Sequence, residues 1–198
     1  MPGEGKTFTA INLASAYSLL GKKTILIGFD LRKPKIFQDF DLSNEHGLST
    51  WLIGQDKLED VIQKTSFQNL SIIAAGPIPP NPSELTALGK TSELFKILRA
   101  DFDLIVVDSS PIGIVSDTIH LASMADVCIL VIRPGHTLRD MLELALNEVS
   151  TNDVKDIGIV LNAIQSSKKQ YGYGGRYGYT NDTKSSLKGI VKTSKRKK

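Results

Sequence analysis

The first seven residues, Met-Pro-Gly-Glu-Gly-Lys-Thr, constrain the fold more than any other part of the chain. Gly3 and Gly5 leave room for main-chain N–H groups to close around phosphate oxygens at the start of a helical pattern. Lys6 is then placed to reach the β and γ phosphates of a nucleotide, and Thr7 to offer its hydroxyl to Mg²⁺. The alternative is a glycine turn that only caps a helix, with Lys6 in solvent.

A phosphate loop of this kind has the pattern GxxxxGK[ST] and follows a central strand of its sheet. Here the first glycine of that pattern would stand before Met1. We therefore expect the sheet to lack its central first strand. Either the sequence is a fragment of a longer product, or it starts at an internal methionine.

Helix-like and strand-like segments alternate through the rest of the body. Strands are predicted at 23–28, 70–74, 104–108, 127–132 and 157–162, a loop at 76–84, and helices at 6–20, 48–52, 58–64, 91–100, 115–124 and 138–150. Because the strands are continuously apolar, both faces of the sheet should be covered. We predict an α/β fold, with a mostly parallel sheet and helices on both faces.

Two aspartates follow apolar runs and are the predicted acidic partners of the loop. Asp108 ends LIVVD and precedes SSP, and Asp30 ends ILIGFD. The carboxyl ends of parallel strands share one edge of a sheet, where ligands bind. Two carboxylates beside a phosphate loop hold Mg²⁺ and accept a proton from an incoming hydroxyl. The alternative is that each aspartate caps the turn after it.

The C-terminal part differs from the body in charge and composition. From Gln165 onward, ten Lys and Arg residues stand against one acid, Asp182, a net charge of +9, so that the body carries −6 of the overall +3. We predict a nucleotide-binding P-loop body at 1–164 and a disordered tail at 165–198. The tail should be drawn to an anionic surface, either lipid head groups or the acidic body of a neighbouring copy.

Four of the five tyrosines lie in a glycine-rich stretch of this tail: Tyr171, Tyr173, Tyr177 and Tyr179. A nucleotide-binding body that carries a tyrosine-rich tail points to a kinase whose substrate is itself. The tail composition also fits RNA binding, with tyrosines stacking on bases. The body offers no nucleic-acid motif, so no nucleic acid is expected as a partner.

The cysteine, the apolar runs and the histidines bear on three further questions: disulfides, membrane-spanning segments and metal sites. The single cysteine, Cys128, excludes a disulfide within the chain and fits a reducing compartment. No apolar run approaches the roughly 18 residues that span a bilayer, so we expect this piece to be soluble by itself. His46, His120 and His136 are scattered, which favours surface or packing roles over a zinc site.

Six features occur in a fixed order: MPGEGKT, ILIGFDLRKP, LIVVD with the SSP that follows it, VIRPGHT, IVLNAI and the terminal tyrosine cluster. Together they resemble the bacterial tyrosine kinases of capsule and exopolysaccharide synthesis, over nearly the whole chain. The resemblance implies a P-loop ATPase fold related to the partition and division-site ATPases. It also implies ATP- and Mg²⁺-dependent autophosphorylation of the tyrosine cluster between neighbours in a ring.

The resemblance implies partners as well. A transmembrane chain-length regulator, fused upstream or separate, would recruit and activate the kinase at the cytoplasmic face of the inner membrane. Proteins of polysaccharide polymerisation and export would be further substrates, and a tyrosine phosphatase would reverse the reaction.

Several positions match the family motifs. Gly5, Lys6 and Thr7 match the Walker-A positions, Asp30 the second aspartate of the Walker-A′ segment, Asp108 the Walker-B aspartate, and Asn162 the strand-end asparagine that faces adenine in related ATPases. Gly28 departs from the pattern, because the family usually has the first Walker-A′ aspartate there. The resemblance therefore implies Thr7, Asp30 and Asp108 as Mg²⁺ ligands and moves the catalytic base to Asp30.

Two other functions are compatible with the sequence. A nucleotide switch of the partition type would hydrolyse ATP to control membrane or partner binding and would phosphorylate no protein. A binding module would use only the basic tail, on anionic polymers. Phosphotyrosine that is lost when Lys6 is replaced would distinguish the kinase from both, and ATP turnover without phosphotyrosine would favour the switch.

Overall fold

The computed structural model describes residues 2–86, 89–112, 116–152 and 154–164. These residues belong to one unit, Met1–Ile164. The tail and its four tyrosines lie outside the described residues, so the predicted organisation of the tail stays a prediction.

The described part of the chain contains eight helices and six strands. The helices are α1 Lys6–Leu19, α2 Ile36–Asp39, α3 Leu48–Leu52, α4 Leu58–Val61, α5 Pro82–Thr86, α6 Gly89–Asp101, α7 Ser116–Met124 and α8 Arg139–Thr151. The strands are β1 Thr24–Gly28, β2 Ile62–Lys64, β3 Leu70–Ile73, β4 Leu104–Asp108, β5 Val127–Ile132 and β6 Asp156–Leu161. None of the described helices combines the length and the apolar character needed to cross a bilayer.

The strands form two sheets. A four-stranded sheet has the order β2-β3-β1-β4, and a two-stranded sheet contains β5 and β6. β1 pairs in parallel with both β3 and β4, and β5 pairs in parallel with β6. β2 is antiparallel to β3. The predicted α/β fold with a mostly parallel sheet is therefore confirmed.

Helices cover both faces of the four-stranded sheet, as predicted. Side chains alternate along a strand, so Ile25 and Ile27 of β1 join one core cluster with residues of α3, α6 and α7. Leu26, between them, joins the opposite cluster with Ala10 and Ala14 of α1. All five residues of β1 are buried. β1 is thus the best-packed strand and a rigid support for the residues that follow it.

A cavity of about 540 Å³ lies between β4 and β5, and every residue of both strands lines it. Its other walls include Ala10 and Leu13 of α1 and Phe95 of α6. Among the described strands, β4 pairs only with β1 and β5 only with β6. Each therefore presents one edge of N–H and C=O groups to the cavity. One parallel strand here would join the two sheets, in agreement with the predicted lack of a central strand.

The small sheet keeps more exposed apolar side chains than the four-stranded sheet. Among the described residues of β5 and β6, Val127 is 57%, Ile159 52% and Leu161 54% exposed. Ile159 and Leu161 lie on one face of this sheet and Val127 on the other, so each face keeps an exposed apolar side chain although the strands read as buried in the sequence.

Two local predictions also differ from the structure, and one short helix was not predicted. The helix expected at 58–64 ends at Val61, because Ile62–Lys64 pairs with β3 instead. The loop expected at 76–84 ends in the first turn of α5, which begins at Pro82, a favoured first helical position. The short helix α2 was not predicted from the sequence. Short elements of this kind depend on tertiary pairing more than on propensity.

Candidate active site

The loop at residues 2–5 turns sharply into α1 at the carboxyl edge of the sheets. Gly3 and Gly5 have φ angles of 82° and 95°, in the left-handed region that favours glycine. The Gly5 carbonyl accepts hydrogen bonds from the N–H and the hydroxyl of Thr9, both at 2.9 Å. The N-terminus of a helix, with its exposed N–H groups and positive dipole end, favours an anion here.

Thr7 and Asp108 meet at the centre of this edge. The Thr7 hydroxyl donates a 2.7 Å hydrogen bond to Oδ2 of Asp108. Burial raises the pKa of Asp108 to about 6; the Asp30 charge adds to the rise, while the Thr7 hydrogen bond and the Lys6 charge oppose it. The carboxylate is therefore costly to ionise unless a cation joins it.

A hydroxyl and a carboxylate side by side fit Mg²⁺, which prefers oxygen ligands and is usually held by one or two carboxylates, phosphate oxygens and water. In the described ranges, no group of three or more His, Cys, Asp or Glu side chains forms a metal site by itself. The donor set at Thr7 and Asp108 thus fits a metal that arrives with a nucleotide better than one held by protein alone.

Asp30 lies just beyond β1 and is held by three donors on one oxygen. Its Oδ1 accepts the N–H groups of Arg32 at 3.2 Å and Lys33 at 3.0 Å, and the Ser110 hydroxyl at 2.9 Å. The turn-capping alternative is therefore correct for Asp30. It does not exclude the predicted acceptor role, since all three donors use Oδ1 and leave that role to Oδ2. Ser110 was not singled out in the sequence, although its place two residues after Asp108 was a usable signal.

Lys6 contacts an acid from its own loop. Its ammonium lies 3.3 Å from Oε2 of Glu4, whose side chain is only 6% exposed. Glu4 was not among the predicted site residues, because an acid inside a phosphate loop resembles a solvated residue in sequence.

Residues 133–137, between β5 and α8, hold the loop from the other side. The Arg133 guanidinium donates to the Gly3 carbonyl at 3.2 Å, and His136 Nε2 donates to the Pro2 carbonyl at 2.8 Å. The Thr137 hydroxyl donates to Oε1 of Glu4 at 2.8 Å. Residues 133–137 belong to the motif VIRPGHT, which is part of the family resemblance, but their contact with the loop was not predicted.

Asn162 lies at the end of β6 and touches the same loop. Its amide Nδ2 donates to the Glu4 carbonyl at 2.8 Å, and its Oδ1 accepts the Ala163 N–H at 2.9 Å. The amide also packs so closely on Gly5 that a Cβ at Gly5 would collide with it. Its predicted contact with adenine stays a prediction.

The surroundings of Gly28 bear on the missing Walker-A′ aspartate. Gly28 pairs with Asp108 across the β1–β4 ladder. A Cβ at Gly28 would lie 3.3 Å from the Ala75 nitrogen and 3.5 Å from Cδ1 of Ile36. A Cβ at this position therefore requires only a small adjustment of its neighbours.

The structure gathers Gly3, Gly5, Lys6, Thr7, Asp30, Asp108 and Asn162 at one edge, and their functional roles stay predictions. Tyr171, Tyr173, Tyr177 and Tyr179 lie outside the described residues.

Comparison with known proteins identifies the family. A family model described as an AAA domain matches residues 2–155. The tyrosine-protein kinase YwqD of Bacillus subtilis is 38% identical over 88% of this chain and 74% of its own length. The chain belongs to the bacterial tyrosine-protein kinases. A second relative in this kinase family, the putative tyrosine-protein kinase EpsB of Ralstonia solanacearum, is 35% identical over 89% of this chain, which spans only 24% of EpsB.

Solved structures place the kinase family beside a wider group of ATPases. The kinase domain of the Escherichia coli tyrosine kinase ETK has 33% identity and a TM-score of 0.81, covering 89% of this chain and 70% of that one. The septum site-determining protein MinD of Pyrococcus horikoshii, solved with Mg-ADP, has 25% identity and a TM-score of 0.68, covering 81% and 66%. The chain thus has a P-loop nucleotide-binding fold, and the division-site ATPase is the more distant neighbour.

Proposed function

We propose that this chain is an ATP-dependent protein-tyrosine autokinase that phosphorylates Tyr171, Tyr173, Tyr177 and Tyr179 of a neighbouring copy. The observation that carries the proposal is the 2.7 Å hydrogen bond between Thr7 and Asp108. In a member of the tyrosine-protein kinases, this contact sets a hydroxyl and a carboxylate that suit Mg²⁺ beside the lysine of the phosphate loop.

Nucleotide binding follows from the loop and the start of α1. Gly3 and Gly5 orient main-chain N–H groups toward the phosphates, and Lys6 neutralises the β and γ phosphates. Mg²⁺, when bound between Thr7, Asp108 and the phosphates, would neutralise further charge on the transferred group.

In the transfer itself, a tyrosine oxygen attacks the γ phosphorus while the bond from that phosphorus to the β-phosphate oxygen breaks. The products are phosphotyrosine and ADP. Asp30, through Oδ2, accepts the phenolic proton as the new bond forms. Ser110 and the N–H groups after Asp30 hold its other oxygen, so the acceptor is fixed before the tyrosine arrives.

The proposed setting is the cytoplasmic face of the bacterial inner membrane, where a transmembrane chain-length regulator activates a ring of copies. Proteins of polysaccharide polymerisation and export are further proposed substrates, and a tyrosine phosphatase resets the tail. The relatives' names support tyrosine phosphorylation; the transmembrane partner, the ring and the phosphatase rest on the family resemblance.

Mass spectrometry of phosphotyrosine tests the proposal directly. The chain, extended before Met1 by an apolar strand, is incubated with Mg²⁺ and ATP as parent and as Lys6→Met. Phosphate should appear on the tail tyrosines of the parent and be absent from the variant. Lys57→Met is the matched control, because Lys57 is 80% exposed and pairs only loosely with Glu59 at 3.7 Å. An unphosphorylated parent, or a phosphorylated Lys6→Met chain, would contradict the proposal.

A partition-type ATPase switch is the second candidate, favoured by the likeness to MinD at a TM-score of 0.68. It predicts release of inorganic phosphate from ATP without phosphotyrosine. The same samples distinguish the two functions when phosphate release is measured alongside the mass spectra.

A further inference from the structure

Glu4 is a buried acid inside the loop that is proposed to bind phosphate. The residue is 4% exposed and makes three described contacts. Its Oε1 accepts the Thr137 hydroxyl at 2.8 Å, its Oε2 lies 3.3 Å from the Lys6 ammonium, and its carbonyl accepts the Asn162 amide at 2.8 Å. A buried charge is kept ionised only by such partners.

These contacts set Glu4 in competition with the nucleotide. Lys6 is the residue that would neutralise the β and γ phosphates, yet its ammonium already lies beside a carboxylate. Phosphate that engages Lys6 must either draw it away from Glu4 or lie close to a second anion. Both cost binding free energy, and water screens this pair less than an exposed one, because the Glu4 side chain is 6% and the Lys6 side chain 25% exposed.

We propose that Glu4 is an internal competitor of the nucleotide phosphates for Lys6, held in position by Thr137, and that it lowers the affinity of the loop for nucleotides. Weaker binding of this kind mainly speeds dissociation, since affinity differences within one site lie mostly in the off-rate. Glu4 thereby speeds release of ADP, which must leave before ATP can enter. The proposal rests on nucleotide binding at this loop and not on transfer to tyrosine.

The test is the dissociation constant for ADP with Mg²⁺, measured on the 198-residue chain by displacement of a fluorescent ADP into the millimolar range. Glu4→Gln keeps the size of the side chain and an oxygen for Thr137 but removes the charge. It should bind ADP about tenfold to a hundredfold more tightly than the parent, as expected when one anion is removed from beside the lysine that would meet the phosphates. The affinity for AMP, which has one phosphate fewer, should increase much less.

Glu59→Gln is the control, because it is the same change at a side chain that is 77% exposed. Urea unfolding of each variant separates competition from a structural role. If Glu4 competes with phosphate, Glu4→Gln should raise the affinity for ADP without raising the free energy of unfolding. If Glu4 has a purely structural role, Glu4→Gln should lower both the affinity for ADP and the free energy of unfolding. If Glu4→Gln binds ADP no more tightly than the parent, or gains as much affinity for AMP as for ADP, the inference about Glu4 is overturned. The proposed function is not affected by that result. A lack of ADP binding in every variant, and also in the chain extended by a strand before Met1, would instead count against the nucleotide site and the proposed function with it.

Discussion

The hydroxyl of Thr7 donates a hydrogen bond of 2.7 Å to Oδ2 of Asp108 and so joins the first turn of α1 to the end of β4. It links the phosphate loop to a carboxylate that is only 6% exposed. The proposed catalysis needs the charged form of Asp108, whereas burial of that charge destabilises the folded chain.

Asp108→Asn should abolish tyrosine phosphorylation and yet stabilise the nucleotide-free chain. The pKa of Asp108 is raised to about 6 in the folded chain. As the pH rises, the unfolded state therefore loses this proton first, and the folded state is destabilised by up to about 3 kcal/mol between roughly pH 4 and pH 6. Asparagine carries no charge and escapes this cost.

Urea unfolding without Mg²⁺ at pH 4 and pH 7.5 measures the effect. The free energy of unfolding of Asp108→Asn should exceed that of the parent at pH 7.5 and approach it at pH 4. Glu59→Gln, at an exposed site, should show no such gap. A gap of equal size at both pH values would refute the assignment of the raised pKa.

Asp30→Asn should lower the rate of phosphorylation by more than about a hundredfold, the range that general-base catalysis supplies. ATP binding should change little, because Asp30 lies beyond the phosphate loop. The measurement is single-turnover phosphotyrosine formation together with ATP affinity. Gly28→Asp is the companion variant. If Asp30→Asn retains near-parental turnover, the base lies elsewhere, and the activity of Gly28→Asp then shows whether an aspartate introduced at position 28 can act as a base.

A strand added before Met1, with the first glycine of the loop pattern, should tighten ATP binding by about tenfold or more over the chain of residues 1–198. Such a strand would satisfy the facing edges of β4 and β5 and supply further phosphate-facing N–H groups. Calorimetry with ATP and the urea m-value, which grows with the surface buried on folding, both report it. A Gly/Ser extension of equal length is the control. Micromolar ATP affinity in the unextended chain would show that the central strand is dispensable.

Phosphorylation of the tail should weaken association between copies. Each phosphotyrosine adds about −1.5 to −2, so four would lower the tail charge from +9 to about +1 to +3. The unmodified tail should bind the acidic body of a neighbour, and salt should weaken this attraction because exposed charges are screened within about 8 Å at physiological ionic strength. Sedimentation at two salt concentrations compares unmodified, phosphorylated and all-Phe forms of Tyr171, Tyr173, Tyr177 and Tyr179. Equal assembly of the phosphorylated and Phe forms would reject the switch.

Much of the site followed from local sequence. Gly3 and Gly5 take the left-handed backbone expected of a phosphate loop, and Asp108 ends an apolar strand at the predicted residue. Glu4 and Ser110 were missed because their importance comes from contacts with residues far away in the chain. Glu4 meets Thr137 across 133 positions, and Ser110 meets Asp30 across 80.

The sequence by itself determined the elements and their chemistry: which runs form strands, where α1 starts, and which side chains offer a cation or an acid to phosphate. These depend on neighbours along the chain, through backbone preference and apolar patterning. Only the tertiary structure decided that β2 pairs with β3, that β5 and β6 stand apart from β4, and that Glu4 faces Lys6. Each of these is settled by burial against a particular partner, and burial is a property of the packed chain.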